Sequence, residues 1–225
     1  RSRDFVKSLI DLKGQEWDIK ILAQRWGTTP QNALTPEDDT FTSRLIPQLE
    51  SKPDIWIQIT IPSEFQPVGN FNIGVSAVIE TSDASSEFIE GCNRMDLNIV
   101  SSRHSAATLT AVYDKLNDQT QQKIGELKIE KPVEVLFEGY DTNVFDNKKP
   151  IESTVKKVFQ DIPEQFCFLF VGHLLNGAQG HDRKNVYSLI KVFLNTFKGQ
   201  SFRNKAKPAL ILKTNTHQPS IIILK

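Results

Sequence analysis

Two cations, Arg183 and Lys184, stand between a glycine-bearing loop and an amphipathic helical pattern. The loop follows the apolar run FCFLFV and contains Gly172, Gly177 and Gly180. Glycines let backbone N–H groups approach a ligand closely, and the start of a helix is electropositive. The arginine adds a fork of donors and the lysine a compact charge. These residues predict a diphosphate site; the alternative is a solvated helix start with two ordinary surface cations.

Three further residues are predicted to meet the same ligand. His173 follows Gly172 directly, and Lys213 and Thr214 follow the apolar strand pattern PALIL. Ligands of open parallel sheets bind beyond the carboxyl ends of the strands, where these residues are expected. For Lys213 the alternative is a surface cation. The loop has neither the G-K-[ST] of a phosphate-binding P-loop nor the glycine spacing of a dinucleotide fingerprint.

Glu64 and Glu80 are the candidates for acid–base or orienting chemistry in the first half, and His104 is a candidate polar group on the acceptor side that faces the same cleft. Glu64 lies in the loop IPSEFQPVGN, and Glu80 ends the strand pattern FNIGVSAVIE. A carboxylate at the carboxyl end of a strand can orient or deprotonate a hydroxyl group. The alternatives are a turn residue for Glu64, a turn or cap carboxylate for Glu80, and a role for His104 in the start of a helix. Ser101 or Ser102 is expected to cap that helix.

Strand and helix patterns alternate in both halves of the chain. The predicted strands are 17–23, 54–61, 71–80, 97–102, 132–139, 166–171 and 209–212. The predicted helices are 4–12, 39–50, 85–96, 103–116, 151–162 and 183–197, and Pro47 predicts a kink or a break in the second of them. FCFLFV and PALIL are apolar throughout, which is typical of strands buried on both faces. We expect an α/β fold of two Rossmann-like units with mainly parallel sheets, the second unit being incomplete.

The length and the charge balance restrict the organisation. A chain of 225 residues suits one large domain or two small ones. We expect a first domain over 1–139, a connection over 140–164 and the start of a second domain over 165–225. Lysine plus arginine and aspartate plus glutamate both number 27, and this balance argues against bulk binding of nucleic acid or anionic membrane.

The sequence contains no pattern for a metal site, a membrane span or a signal peptide. The four histidines, at 104, 173, 181 and 217, lack the spacing of metal ligands. No apolar stretch approaches the length of a membrane span, and the start RSRDFVKSL lacks a signal-peptide core. Two distant cysteines fit a reducing compartment, so a cytoplasmic protein is expected. The missing initiator methionine and the ending SIIILK suggest a piece of a longer chain.

The stretch FLFVGHLLNGAQGHDRKNVYSLIKVF resembles the start of the nucleotide-sugar domain in GT-B glycosyltransferases of the large retaining group. Those enzymes show a strand ending in VG, a loop, and then Arg and Lys before a helix. The first half is similar to their acceptor domain, above all in bacteriophage and bacterial members. The matching segments are PDIWIQITIPSEFQPVGNFNIGVSAVIETSDASSEFIEGCNRMDLNIVSSRHS and PVEVLFEGYDTNVF.

The resemblance implies a reaction and assigns several residues. A sugar would move from a nucleotide-diphosphate sugar to an acceptor hydroxyl with retention of configuration, without a cofactor or a metal. Arg183 and Lys184 would hold the donor diphosphate, and Gly69, Asn72 and Gly74 would form an acceptor-side loop that approaches it. The acceptor would be a glycan, a lipid or a protein. The enzyme would act in the cytoplasm, including that of a phage-infected bacterium.

Two features depart from the family pattern, and two other functions stay open. The chain ends before the Glu-x(7)-Glu segment of retaining enzymes, and Glu80 and Thr81 stand where many relatives have a histidine. One alternative function is a non-catalytic binding or assembly module derived from a GT-B domain. Another is an α/β phosphatase or kinase, which the lack of a Walker loop disfavours.

Overall fold

In the computed structural model the chain is an α/β protein with mostly parallel sheets. It describes residues 2–24, 34, 38–117, 119–160, 162–164, 166–172, 184–199, 207–215 and 219–224. The chain divides into two compact units, residues 1–146 and 147–225. The division between them lies inside the predicted connection 140–164.

The first unit begins with a helix and a small strand pair. Its elements are α1 (Ser2–Lys13), β1 (Ile21–Leu22), α2 (Asp39–Thr42) and β2 (Leu45–Ile46). β1 and β2 form a separate parallel pair. Of the helix predicted over 39–50 only α2 forms, and the predicted break before the end of that segment is confirmed. Pro47 explains the break, since it lacks an N–H donor and disfavours helical geometry at the residue before it.

A sheet of four parallel strands is the centre of the first unit. The elements after β2 are β3 (Ile55–Ile59), β4 (Phe71–Ser76), α3 (Ser86–Asn93), β5 (Leu97–Val100), α4 (Arg103–Thr110), β6 (Tyr113–Leu116), β7 (Lys123–Leu127) and β8 (Val133–Val135). The sheet has the order β3-β4-β5-β8, and all three neighbouring pairs are parallel. The carboxyl ends of its strands therefore lie along one edge.

The core of the first unit is made by the sheet, the turn after β3 and the helices α3 and α4. Its buried apolar side chains are Phe65, Ile89, Cys92, Met95, Val100 and Leu109. Each large apolar side chain that is removed from water contributes about 1.5–3 kcal/mol. Ile89 and Cys92 are three residues apart in α3, so they lie on one helical face, as their spacing predicts.

The predicted helix 103–116 is correct to Thr110 and wrong beyond it. β6 pairs instead with β7 as an antiparallel hairpin. Within the connecting turn, the side-chain oxygen of Asn117 accepts hydrogen bonds from the backbone N–H groups of Gln119 and Thr120, both at 2.9 Å. Asparagine favours turns through such bonds to its own backbone neighbours. This turn chemistry outweighs the apolar spacing that indicated a longer helix.

The second unit contains one helix and then a β-α-β arrangement with a final hairpin strand. Its elements are α5 (Ser153–Gln160), β9 (Cys167–Val171), α6 (Val186–Phe197), β10 (Ala209–Asn215) and β11 (Pro219–Leu224). β9 and β10 are parallel, whereas β10 and β11 are antiparallel. The strand order is β11-β10-β9. A parallel pair joined through α6 is the arrangement that the alternating pattern predicts.

Only one of the two fully apolar strands is buried on both faces. Residues 209–212 of β10 are at most 4% exposed. β9 lies at an edge of the sheet, and Phe168, Leu169 and Val171 are 42%, 63% and 68% exposed. The prediction that β9 is buried on both faces is therefore wrong. In the described part of the chain no strand pairs with its second edge. Phe168 and Phe170 still pack against α6, whereas Leu169 and Val171 on the other face are exposed.

Candidate functional site

Three candidate residues of the first unit follow three neighbouring strands. Glu64 follows β3, Glu80 follows β4, and His104 is the second residue of α4, which follows β5. Neighbouring strands lie about 4.8 Å apart, and their carboxyl ends face the same way in a parallel sheet. The fold therefore brings these residues to one sheet edge, as the sequence predicts. All three side chains are exposed.

Glu64 ends a short 3-10 turn, Pro62–Glu64, directly after β3. The hydroxyl of Thr60 donates a hydrogen bond to the Oε2 atom of Glu64. The buried amide of Gln58 fixes the backbone that follows this residue: its Nε2 donates to the Glu64 carbonyl at 3.0 Å, and its Oε1 accepts from the N–H of Gln66 at 2.8 Å. The Glu64 carboxylate thus projects from a segment that the sheet itself holds.

Glu80 follows a turn with unusual backbone geometry. Val78 has a φ of 59°, in the left-handed region that a β-branched residue adopts only at a cost of about 1–3 kcal/mol. The N–H of Val78 donates to the hydroxyl of Ser76 at 3.2 Å, and the hydroxyl of Ser105 donates to the Ala77 carbonyl at 3.1 Å. The first turn of α4 therefore holds the segment that leads to Glu80.

His104 contacts the same segment. Its Nε2 atom lies 3.1 Å from the carbonyl oxygen of Thr81. Because a carbonyl only accepts hydrogen bonds, Nε2 carries the proton in this contact, and in the neutral ring Nδ1 is then an acceptor. Ser102 caps α4, since its side chain accepts from the N–H of Ser105 at 3.0 Å. The expected capping serine is therefore Ser102.

Gly69 and Asn72 lie at the opposite edge of the sheet. Gly69 precedes β4, and Asn72 is the second residue of that strand. Both therefore lie at its amino end, away from Glu64 and Glu80. Asn72 binds Gly69 in both directions: its Oδ1 accepts from the Gly69 N–H at 2.7 Å, and its Nδ2 donates to the Gly69 carbonyl at 3.2 Å. The fold does not bring these two residues together with the carboxyl edge.

Asn72 also fixes a carboxylate at that amino end. Its backbone N–H and its Nδ2 donate to Oδ2 of Asp96 at 2.8 and 3.0 Å. These two hydrogen bonds, the side-chain one first, lower the pKa of Asp96 below the ordinary aspartate value. The geometry explains Asn72 as a clasp between β4 and the start of β5.

Gly74 is a packing residue in the middle of β4. A Cβ atom at this position would stand 2.7 Å from the Cζ atom of Phe65, which is 1% exposed. Only glycine leaves room for this ring against the sheet. Gly74 thereby anchors the end of the segment that holds Glu64, instead of lining the carboxyl edge itself.

Gly172 directly follows β9, but Lys213 and Thr214 lie within β10, which continues to Asn215 and does not end at Leu212 as predicted. The N–H of Gly172 donates to the carbonyl oxygen of Lys213 at 3.0 Å, which extends the parallel pairing by one residue. The Lys213 side chain is exposed. Gly172 and Lys213 are therefore neighbours where β9 ends, two residues before the end of β10.

Thr214 lies on the face of β10 that packs against α6. Residues two apart in a strand share a face, so Leu210, Leu212 and Thr214 face the same way. Leu210 and Leu212 pack against Phe193 of α6. Because α6 joins two parallel strands, it runs back along the sheet, and its start lies toward their carboxyl ends. Val186, about two turns before Phe193, is fully buried at that start.

The hydroxyl oxygen of Thr214 has no hydrogen-bond partner, although the residue is only 1% exposed. A buried hydroxyl without a partner costs about 1–3 kcal/mol. Most buried polar groups in folded proteins are paired, so an orphan requires an explanation such as a water or a ligand. The orphan lies one residue before the end of β10, on the face that packs against α6.

The start of α6 differs slightly from the prediction. The helix begins at Val186 and not between 182 and 185. Asn185 precedes it with a φ of 48°, and its side chain makes no capping hydrogen bond. Lys184 is exposed and stands two residues before the helix. Arg183 and His173 lie outside the described residues, together with Gly177 and Gly180.

Other reactive groups of the described chain offer no second site. Burial raises the pKa of the Cys92 thiol to about 12, so at neutral pH it is protonated and packs as an apolar group. Among the described residues, no three His, Cys, Asp or Glu side chains are grouped to hold a metal ion. No helix in the part of the chain that the structure describes has the length and apolar character to cross a membrane.

Sequence reasoning missed the residues that support the candidate side chains. Thr60 and Gln58 bind Glu64 from only 4 and 6 residues earlier in the chain, whereas Ser105 binds a segment that only the fold brings near. Val78 gave no signal, because valine is an ordinary strand residue and its left-handed backbone is a tertiary effect. A polar residue within an apolar strand pattern, such as Gln58 in IWIQI, is the signal that was present.

Comparison of the chain with models of protein families, with curated proteins and with solved structures gives no match.

Proposed function

We propose that the protein is a glycosyltransferase of the GT-B type, with two Rossmann-like units, that moves a sugar from a nucleotide-diphosphate sugar to an acceptor hydroxyl. The donor diphosphate binds at the carboxyl edge of the second unit, and the acceptor binds at the carboxyl edge of the first. The resemblance of the sequence motifs to the large retaining group is the source of the reaction type. In the proposal the reaction retains configuration and takes place in the cytoplasm.

The observation that supports the donor site is the orphaned hydroxyl of Thr214. The proposal adds Lys184, two residues before α6, and Lys213, whose exposed side chain points to the opposite face of β10 from Thr214. A diphosphate needs such donors, and the partial positive charge of a helix start favours an anion. Arg183 adds a bidentate donor from the adjoining sequence.

Catalysis in this proposal depends on positioning and on charge stabilisation. Arg183 and Lys184 stabilise the negative charge that grows on the departing diphosphate. Glu64 or Glu80 orients the acceptor hydroxyl and receives its proton. His104 adds an acceptor nitrogen, Nδ1, at the same edge. Reactants that the protein already holds in place do not lose the translational and rotational entropy that an encounter in solution requires.

A non-catalytic module is the second candidate, and one observation favours it. The apolar edge strand β9 exposes Phe168, Leu169 and Val171, and exposed apolar surface is a mark of protein–protein contact. A module kept for assembly has no need of a nucleotide. The two functions therefore differ in their binding of UDP and GDP.

Calorimetric titration with UDP and GDP tests the proposal. We expect one of the two to bind the parent chain, and Arg183→Ala, Lys184→Ala and Thr214→Val to weaken its binding about tenfold each, the loss of one donor to an anion. Lys198→Ala is the matched control, because Lys198 is an exposed lysine at the other end of α6. It should leave the affinity unchanged.

Three results distinguish the hypotheses. Binding that falls in the three variants but not in Lys198→Ala supports the donor site. Binding that falls equally in Lys198→Ala indicates non-specific attraction of the nucleotide to positive charge. Absence of binding of UDP, GDP and their sugars contradicts the transferase proposal for this chain and favours the non-catalytic module.

A further inference from the structure

Arg94 binds the carbonyl groups of the turn that contains Glu64. Its Nε atom donates to the Phe65 carbonyl at 2.8 Å, and its Nη2 atom donates to the Ser63 carbonyl at 2.8 Å and more weakly to the Pro62 carbonyl at 3.5 Å. A single guanidinium group therefore holds three carbonyls of one turn.

The turn does not need this arginine in order to close. Its own backbone bonds, from the Glu64 N–H to Ile61 at 3.0 Å and from the Phe65 N–H to Pro62 at 3.1 Å, already form it. What Arg94 adds is a fixed connection between the turn and the end of α3, from which it projects. A planar guanidinium restricts direction as well as distance, which the ammonium group of a lysine does not.

Two other contacts fix the same turn on other sides. Gln58 holds it against β3, and the ring of Phe65 is buried in the core next to Gly74. With Arg94 they restrain the turn from three directions. The group that this arrangement leaves exposed is the Glu64 carboxylate, to which the Thr60 hydroxyl donates a hydrogen bond.

We propose that Arg94 is a positioning residue that sets the place of the Glu64 carboxylate on the carboxyl edge of the sheet. The inference rests on the proposed function for its purpose, the orientation of an acceptor hydroxyl. A misplacement of about 1 Å in such a group can lower a rate about a hundredfold. Arg94 does not touch the acceptor; it acts through the turn.

The first test follows the Glu64 carboxylate itself by NMR of side-chain ¹³Cδ in the full chain. Thr60→Val gives the reference shift for a Glu64 that has lost its hydroxyl partner. We expect Arg94→Ala to move the Glu64 signal toward that reference and Arg94→Lys to move it part of the way. Arg44→Ala is the matched control, since Arg44 is a half-buried arginine of the same unit on another segment. An unmoved Glu64 signal in Arg94→Ala overturns the inference.

The second test separates positioning from general stability. The probes are UDP-glucose and GDP-mannose with water as the acceptor, and the initial rate of hydrolysis is followed. For the donor that binds, we expect Arg94→Ala to lower kcat about tenfold or more while KM for the donor changes less than twofold, because the donor binds the other unit. Equal kcat in Arg94→Ala and the parent, once both are corrected for folded fraction, contradicts the positioning role.

Failure of the proposed function gives a different result. If neither nucleotide sugar binds or is hydrolysed but Arg94→Ala still moves the Glu64 signal, Arg94 positions Glu64 and the transferase proposal is the part that fails. If hydrolysis proceeds and depends on Glu64→Gln but not on Arg94→Ala, the function stands and the positioning inference fails.

Discussion

Gly91 of α3 lies so close to the carbonyl group of Pro62 that a Cβ atom at Gly91 would overlap its oxygen. The helix and the turn after β3 therefore meet backbone to backbone. A side chain of any size at this position must move one of them. The contact explains a glycine inside a helix, where glycine is otherwise unfavourable by about 1 kcal/mol relative to alanine.

Gly91→Ala is expected to destabilise the protein by about 1–3 kcal/mol, the usual cost of overpacking. This is opposite in sign to the gain that helix propensity alone would give. The measurement is the free energy of unfolding in urea. Gly125→Ala is the control, since a Cβ at Gly125 meets nothing within 4 Å. A Gly91→Ala protein as stable as the parent would show that the turn yields without cost.

At Val78 we expect the glycine and alanine variants to differ in stability in the opposite direction from the usual one. At an ordinary position glycine is less stable than alanine, because it loses more backbone freedom on folding. At a φ of 59° glycine has no steric penalty and alanine has one. We therefore expect Val78→Gly to be more stable than Val78→Ala by about 0.5–1 kcal/mol. At Val75, in the regular part of β4, the same pair should show the usual order.

Thr214→Val is expected to stabilise the chain in the absence of ligand by about 1 kcal/mol, because it replaces an orphaned buried hydroxyl with a methyl group of similar shape. Scanning calorimetry without nucleotide measures the change in Tm. Thr42→Val is a matched substitution at a threonine whose hydroxyl has a partner, the Asp38 carbonyl at 3.3 Å, so it should bring no such gain. A lower Tm for Thr214→Val would mean that its hydroxyl is satisfied in solution.

Asp96 predicts a pH dependence of stability at the amino edge of the first sheet. Its pKa in the folded protein is lowered by the two hydrogen bonds from Asn72. The folded state therefore gains stability above the ordinary aspartate pKa, near 3.9, and loses it as the pH falls through the lower folded pKa. Asp96→Asn should be less stable than the parent at pH 7, and the difference should shrink below about pH 4.

The measurement is urea unfolding of both proteins at pH 7, 5 and 3. Asp83→Asn provides a control at an exposed aspartate of the same unit. A difference between Asp96→Asn and the parent that is constant from pH 7 to pH 3 would contradict the assignment of the effect to ionised Asp96.

The sequence predicts the strands of the parallel sheets best, since their apolar runs are bounded by turns. It fails where a later partner decides the structure. Tyr113 has the spacing of a helix with α4, but its hydroxyl donates to the Thr108 carbonyl at 2.6 Å while its backbone pairs with Leu127. β9 has the composition of a central strand, yet its burial depends on neighbours that its own residues do not specify.

The positions of the candidate site residues are also predictable only in part. Glu64, Glu80 and His104 reach one edge because each follows a parallel strand, a relation that strand order in the sequence already contains. Gly69 and Asn72 lie at the opposite edge, because Gly69 precedes β4 and Asn72 is near its start. The backbone of Val78 and the hydrogen bonds from Arg94 to the Glu64 turn depend on contacts between distant segments, for which no local pattern exists.

The order of the strands in the first sheet, β3-β4-β5-β8, is also their order along the chain. During synthesis, which releases the amino-terminal part first, each new parallel strand finds its partner already made. No strand has to be inserted between two that have paired. The sheet can therefore grow in one direction, step by step, as the ribosome releases the chain.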